Sequence, residues 1–230
     1  MPASFLTGST GFIGSEILRR ILDREPERRV YALVRAADDR EAAWRGREVL
    51  FRLYMDDEAG TESGMRRVRW IRGDLTAAGL GLAPAARAAI AAECDELIHA
   101  AAATEWDLPL AQAEAVNVGG VRGVVDLAAE GARRGRAPRL IHVSTAFVAG
   151  RRSGVVQPED LPGPEEPFSN TYEATKAQAE RLLRERMGSV PITVVRPSIV
   201  VGDSRSGRTF NFNVSPAGTI YGRCSGAVEV

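Results

Sequence analysis

The stretch "FLTGSTGFIGSEIL" spaces Gly8, Gly11 and Gly14 three residues apart, between a short apolar run and a segment with helical apolar periodicity. Few folds accommodate that junction. In a strand-turn-helix unit the first glycine permits a tight turn, the second lets backbone N–H groups approach a pyrophosphate, and the third lets the helix pack closely on the sheet. The helix N-terminus then faces the phosphates. Glycine spacing alone is weak evidence, but a strand before it and a helix after it are the context this mechanism demands. The junction predicts a dinucleotide-binding crossover rather than a merely structural turn.

The rest of the chain repeats the alternation. Candidate strands are "SFLTG", "RVYALVR", "RRVRWIRGDL", "ELIHAAA", "RLIHVSTAF" and "ITVVRPSIVVG", and candidate helices lie between them at 14–23, 40–54, 84–93, 111–130 and 172–187. Six strands alternating with five helices predict an α/β fold, a Rossmann-like doubly wound parallel sheet with helices on both faces. A chain of 230 residues suits one domain with a sizeable core. The Gly/Pro-rich "RRSGVVQPEDLPGPEEPFSN", between a strand and a helix, reads as an ordered surface loop at the rim of a site. Formal charge is zero, which gives no electrostatic case for nucleic acid or an anionic membrane. Cys94 and Cys224 lie far apart with no CxxC or histidine partner spacing, so neither a disulfide framework nor a metal site is indicated, and a reducing compartment fits. No apolar run reaches the ~18 residues of a membrane span, and the N-terminus has no basic leader. A soluble, cytoplasmic protein is expected.

Of the thirty lysine and arginine positions, only Lys176 is a lysine. Arginine would serve equally well as a solvated helix charge, whereas lysine offers a compact ammonium on a flexible stem. It follows Tyr172 by four residues, so a helix puts phenol and ammonium on one face. Hydride addition to a carbonyl needs a proton donor within hydrogen-bond reach of the oxygen. A free phenol titrates near ~10, and a neighbouring ammonium is expected to lower that value. Tyr172 is therefore the expected proton donor, with Lys176 tuning it and reaching the nicotinamide ribose. Thr145 follows the fifth strand, at the end that faces a ligand crevice, and is expected to hydrogen-bond the substrate carbonyl. Ser144 points to the opposite face. His99 and His142 sit in apolar strand sequence and read as satisfied interior or edge histidines. Where the second strand ends, a protein selecting the unphosphorylated cofactor would place a carboxylate. Here stands Arg35, whose fork suits a 2′-phosphate. NADP(H) is favoured, with NAD(H) kept open by Asp38 and Asp39. The bland alternatives are a solvated strand-end charge for Arg35 and an exposed helix charge for Lys176.

The glycine loop, "GDL" at Gly73 to Leu75, "STA" at Ser144 to Ala146, Tyr172-x-x-x-Lys176 and "RPS" at Arg196 to Ser198 occur in that order. With them the chain resembles the extended short-chain dehydrogenase/reductases. The segments "REAAWRGREVLFRLY", "NTYEATKAQAE" and "VVRPSIVVGDSRSG" make it most similar to the branch that reduces activated acyl groups, the fatty acyl-CoA reductases and terminal thioester-reductase domains. The resemblance implies that Gly8, Ser9, Thr10, Gly11, Phe12, Ile13 and Gly14 line the pyrophosphate, Arg35 the 2′-phosphate, and Asp74 with Leu75 the adenine. Ala100, Ala101 and Ala102 would run past the cofactor ribose, and Pro197 and Ser198 would complete the cofactor site. Asn117 resembles the helix asparagine that supports the catalytic lysine through water, and reads equally as a buried capping residue. The implied activity is NADPH-dependent reduction of an acyl thioester, on coenzyme A or an acyl carrier protein, to an aldehyde or alcohol. Competing readings are a sugar-nucleotide or small-carbonyl oxidoreductase or epimerase of the same superfamily, and a catalytically silent NADP(H)-binding module. The intact set of Thr145, Tyr172 and Lys176 opposes the silent module. Members of the branch continue into a substrate-binding region, so 1–230 reads as one NAD(P)-binding domain in which 203–230 form the remnant or start of a truncated substrate region.

Overall fold

Strands β1 (Ala3–Thr7), β2 (Arg29–Val34), β3 (Val68–Arg72), β4 (Glu96–His99), β5 (Arg139–Val143) and β6 (Ile192–Val195) form one parallel sheet in the computed structural model, which describes residues 1–55, 57–202 and 204. Their order is β3-β2-β1-β4-β5-β6. The order reverses between β1 and β4, which opens a crevice at the C-terminal ends of those strands. Six helices cross over between the strands: α1 (Phe12–Arg24), α2 (Asp39–Leu53), α3 (Glu58–Arg67), α4 (Pro84–Glu93), α5 (Leu110–Arg133) and α6 (Thr171–Arg186).

Successive strand residues point to opposite faces, and two cores follow from that. Phe5, Leu33, Ile71, Leu97 and Leu140 pack with residues of α4, α5 and α6 such as Ile90, Val121 and Leu183. Leu6, Val30, Ala32 and Ile98 pack with Leu18, Ile21 and Leu22 of α1 and with Val49 and Leu50 of α2. Helix starts follow local chemistry. Asp38 caps α2 by accepting from Glu41 N–H, and Pro84 opens α4. At α6 the capping is reciprocal: Asn170 accepts from Glu173 N–H at 2.9 Å, while the Glu173 carboxylate accepts from Ser169 N–H at 2.9 Å.

Two expectations need correction. Four strands stop at least three residues short of their apolar runs, at Arg72, His99, Val143 and Val195, so that Gly73 to Leu75, Ala100 to Ala102, Ser144, Thr145 and Arg196 to Ser198 are loop residues at the crevice, and Ala146 opens a short helical turn. A helix also stands unforeseen at Glu58–Arg67, taking in Arg66 and Arg67, which the third apolar run had seemed to include. Its two glycines and sparse apolar residues hide it from periodicity. It forms because Asp57 caps it through Gly60 N–H at 2.9 Å and because Gly64 lets its backbone close on Leu50. Met1–Val200 make one compact unit. The expected substrate region at 203–230 lies, but for residue 204, outside the described residues, as does Cys224. Among the described residues no helix is long and apolar enough to cross a membrane.

The β1–α1 junction is the tightest backbone crossing. Gly8 takes φ +80°, and a Cβ there would lie 2.6 Å from Ala101 N; a Cβ on Gly14 would lie 2.1 Å from the Gly8 carbonyl oxygen. Both obstacles are main chain, so neither can rotate away. Gly14→Ala is therefore expected to lower the free energy of unfolding in urea by about 2 kcal/mol or more, in the range of overpacked cores. An unchanged denaturation midpoint would show the junction to be looser than described.

Candidate active site

Around the first crossover, the residues present fit a bound pyrophosphate. Gly11 is the N-cap of α1, offers no side-chain hydrogen bond to the helix, and no acidic residue occupies the first turn. The N-terminal N–H groups and the positive end of the helix dipole are left for an anion. Gly11 is exposed, and the sole close neighbour of a Cβ placed there would be the Gly8 carbonyl oxygen at 3.3 Å. Ser9 is fully buried in the same loop, and its Oγ has no hydrogen-bond partner among the described residues. Thr10 is exposed, with Phe12 and Ile13 partly so, while Gly14 is buried against the turn.

The loop after β2 gathers guanidinium groups. Arg35 is exposed; its carbonyl accepts from Arg45 Nη1 at 2.5 Å, and the Ala37 carbonyl accepts from Arg72 Nη1 at 2.8 Å. Ala37 N–H donates to Glu41 Oε2 at 2.7 Å, and Asp38 is committed to capping α2, with its Oδ1 2.8 Å from Glu41 N. Asp38 Oδ1 is thus engaged at the start of its own helix. Asp74 follows β3, and its Oδ1 accepts from both the backbone N–H and the hydroxyl of Thr76, at 2.8 and 2.7 Å. These bonds, with a smaller contribution from the Arg35 charge, hold its carboxyl below the usual range. Leu75 is partly buried and packs against the core beside Asp74.

The loop after β4 closes on the glycine turn. Ala100 and Ala101 abut Gly8, with Ala101 N–H donating to Thr7 Oγ1 at 3.3 Å; Ala102 follows, partly exposed. Asn117 of α5 clamps the end of that loop to α6. Its Oδ1 accepts from Ala103 N–H at 2.8 Å, and its Nδ2 donates to the Ala103 carbonyl at 3.1 Å and to Thr175 Oγ1 at 2.9 Å. The asparagine therefore reaches the residue beside the lysine directly, through Thr175.

Thr145, Tyr172 and Lys176 come together where β5 ends. Thr145 is buried, caps the turn Ala146–Ala149 through Phe147 N–H at 3.2 Å, and its hydroxyl is near enough to half-buried Tyr172 to act on the phenol's ionisation. Lys176 is 2% exposed, and its Nζ donates to the Val143 carbonyl at 2.8 Å and lies 3.3 Å from His142 Nε2. The structure reverses one expected sign. Burial raises the Tyr172 phenol above its ordinary value, and what opposes that rise is the Thr145 hydroxyl rather than the ammonium. The ammonium is itself the group most altered, since burial lowers Lys176 from 10.5 to about 8 against the opposing charge of Glu180.

Beneath this trio lies polar machinery that sequence reading missed. Ser144 Oγ donates to Glu180 Oε1 at 2.5 Å, and Arg196 grips the same carboxylate with Nε at 3.0 Å and Nη2 at 2.7 Å. The arginine of "RPS" is thus a brace, whereas Pro197 accepts from Ala146 N–H through its carbonyl at 2.9 Å and Ser198 is exposed beyond it. The spacing of Lys176 and Glu180 by four was a visible signal for a shared face. No local signal joined either to Ser144, His142 or Arg196.

The lowered lysine has a consequence for stability, with a definite sign. Between about 8 and 10.5 the unfolded chain binds more protons at Lys176 than the folded one, so this residue's contribution to stability rises with pH across that window. Relative to Lys176→Met, the wild type is expected to gain about 2 kcal/mol between pH 7 and pH 10 in paired denaturant titrations. A difference that does not change with pH would place the ammonium in a solvated setting.

Sequence and structure comparisons show the family. The NAD-binding family described as the male sterility protein matches residues 6–229. The chain is 28% identical to the fatty acyl-CoA reductase wat of Drosophila melanogaster over 98% of its own length and 48% of that protein. It is 31% identical to the L-2-aminoadipate reductase large subunit of Penicillium chrysogenum, over 90% of this chain and 15% of that one. Among solved structures, the terminal R domain of the myxalamid PKS-NRPS biosynthetic pathway superposes with a TM-score of 0.78 at 31% identity, covering 91% of this chain and 51% of that domain. The chain thus spans about half of the first relative and of the R domain, and less of the second. With a parallel sheet reversing at β1 and β4, an open glycine turn at the reversal and a match along nearly its whole length, this chain belongs to the male sterility NAD-binding family, in the thioester-reductase branch of the extended short-chain dehydrogenase/reductases.

Proposed function

We propose that the chain carries the cofactor-binding and proton-donating machinery of a cytoplasmic, NADPH-dependent reductase that acts on an acyl thioester held by coenzyme A or a carrier protein. The observation that carries this reading is the meeting of Thr145, Tyr172 and buried Lys176 at the end of β5, on the crevice side of the uncapped α1 N-terminus. A reduced nicotinamide cofactor would supply the hydride. Gly8 to Gly14 hold the pyrophosphate through backbone N–H groups. Arg35 pairs with the 2′-phosphate, helped by the charge of Arg45 and Arg72 at its loop. Asp74 and Leu75 flank the adenine, and Ala100 to Ala102, Asn117, Pro197 and Ser198 shape the ribose and nicotinamide end. Residues 1–230 act as one NAD(P)-binding domain, with 203–230 the remnant or start of a substrate-binding region.

Thr145 donates to the thioester carbonyl oxygen and orients it. Burial keeps the Tyr172 phenol protonated until charge develops on that oxygen, when it transfers its proton there, and the Thr145 hydroxyl stabilises the resulting phenolate. The product of this step is a hemithioacetal. Its hydroxyl returns the proton to Tyr172 as the C–S bond breaks, leaving an aldehyde, while the departing thiolate takes a proton from solvent. A second hydride and proton would give the alcohol. The names of the relatives support thioesters as the substrate class: one is a fatty acyl-CoA reductase and another a terminal R domain of a PKS-NRPS pathway.

Two measurements test the reading. NADPH should bind at least about tenfold more tightly than NADH, and Arg35→Ala should remove that preference, because a charge-assisted pair contributes about 1.5 to 3 kcal/mol. Equal affinities in the wild type, measured calorimetrically, would overturn the cofactor choice. NADPH consumption with a long-chain acyl-CoA and with an acyl-pantetheine should fall about a hundredfold or more in Tyr172→Phe, the scale of general acid catalysis. A wild type that binds NADPH yet reduces neither thioester would point to the silent binding module.

A further inference from the structure

Among the described residues, no carboxylate is bonded to the Lys176 ammonium. Of the charged groups around it, Glu180 lies one helical turn on and is taken up by Ser144 and Arg196. Tyr172 stands one turn before, and Asn117 and Thr175 are neutral and bonded to each other. Among the described residues, what meets Nζ is β5, through the Val143 carbonyl at 2.8 Å and His142 Nε2 at 3.3 Å. We propose that His142 is a positioning residue for Lys176: its neutral imidazole accepts one N–H of the buried ammonium while Val143 accepts a second, leaving one N–H for the nicotinamide ribose. The proposal rests on the reductase reading for its catalytic meaning and on the lysine–histidine contact for its physical content.

The setting of His142 fits that role better than a filler role. Parallel pairing places Thr7, His99 and His142 in one row across β1, β4 and β5. His99 Nδ1 lies 2.7 Å from Thr7 Oγ1, and the two imidazoles stack with centroids 5.3 Å apart. Burial lowers both rings far below the usual histidine range, with the Lys176 charge acting the same way, so both are neutral at physiological pH. A neutral His142 that accepts at Nε2 carries its proton on Nδ1. That nitrogen, and Nε2 of His99, are buried with no partner among the described residues. Unpaired buried nitrogens cost stability that a phenylalanine or leucine at the same buried position would not. The lysine contact is what the histidine supplies in return.

The chain's composition makes the test direct, because it contains one lysine and two histidines. Protein labelled with ¹³C,¹⁵N-lysine gives a single lysine side-chain signal, whose titration is followed in wild type, His142→Phe, His142→Leu and His142→Gln. Losing the acceptor should lower the Lys176 titration point by about one unit in the two apolar variants. His142→Gln, whose amide oxygen can accept, should restore it. Under the reductase reading, kcat should fall about tenfold in the apolar variants, with the lysine-dependent limb of its pH profile moved by the same amount, KM for the thioester little changed, and recovery in His142→Gln. Imidazole ¹⁵N shifts of the wild type give a measurement that needs no variant, and they should show His142 neutral with its proton on Nδ1. An unshifted lysine in a folded apolar variant, or a protonated His142 Nε2, would overturn the proposal. The titration needs no substrate, so a wild type inactive on thioesters would defeat the reductase reading while leaving the lysine–histidine assignment to be decided by the titration.

Discussion

Three stretches of backbone meet at Gly8 with no room for a side chain between them. The turn after β1, the start of α1 and the segment leaving β4 approach so closely that a Cβ on Gly8 would overlap Ala100 and Ala101, and one on Gly14 would overlap the Gly8 carbonyl. Most of the rest depends on that crossing. It sets α1 with its N-terminus at the strand reversal, and it holds the Ala100 to Ala102 segment along the crevice. The remaining parallel strands end on the same edge, so the loops that follow them deliver Asp74, Thr145 and Pro197 to one rim.

Behind the rim the protein accepts polar burial that does nothing for stability on its face. A lysine, a glutamate and two histidines lie 2% exposed or less in the layer between the sheet and α5–α6. Replacing buried ion pairs with apolar residues is often neutral or stabilising, so such a layer is better explained by what it holds in place. Glu180 ties Ser144 of the β5 end to Arg196 of the β6 end, and Asn117 ties Ala103 of the β4 end to Thr175 of α6. Three strand ends and the helix bearing Tyr172 and Lys176 are thereby locked to each other. The proton donor gains a fixed position even though it sits next to loops.

Much of this is legible in the sequence alone. The glycine spacing located the crossover, alternating apolar runs located six strands, and the lone lysine four residues after a tyrosine located the trio's helix. The chemistry around them was legible only in part. The spacing put ammonium and phenol on one face and suggested that one acts on the other, whereas the ammonium is drawn to Val143 and His142 and the phenol answers to burial and Thr145. Helix α3 was not legible at all, because it is held by a cap and by contact with Leu50 rather than by an apolar stripe.

What the sequence by itself determined is whatever depends on neighbours within a turn or a strand: the glycine junction, the caps of α2 and α6, the order of the strands and of every helix but α3, and the pairing of Tyr172 with Lys176. What only the tertiary structure decided is which distant residues share a space. Thr7 meets His99 across 92 positions, Ser144 meets Glu180 across 36, and Lys176 meets His142 across 34. Those meetings are set by the register of parallel strands and by how far α6 slides along them. Neither quantity leaves a mark in local periodicity, because both are fixed by packing summed over whole faces of the sheet.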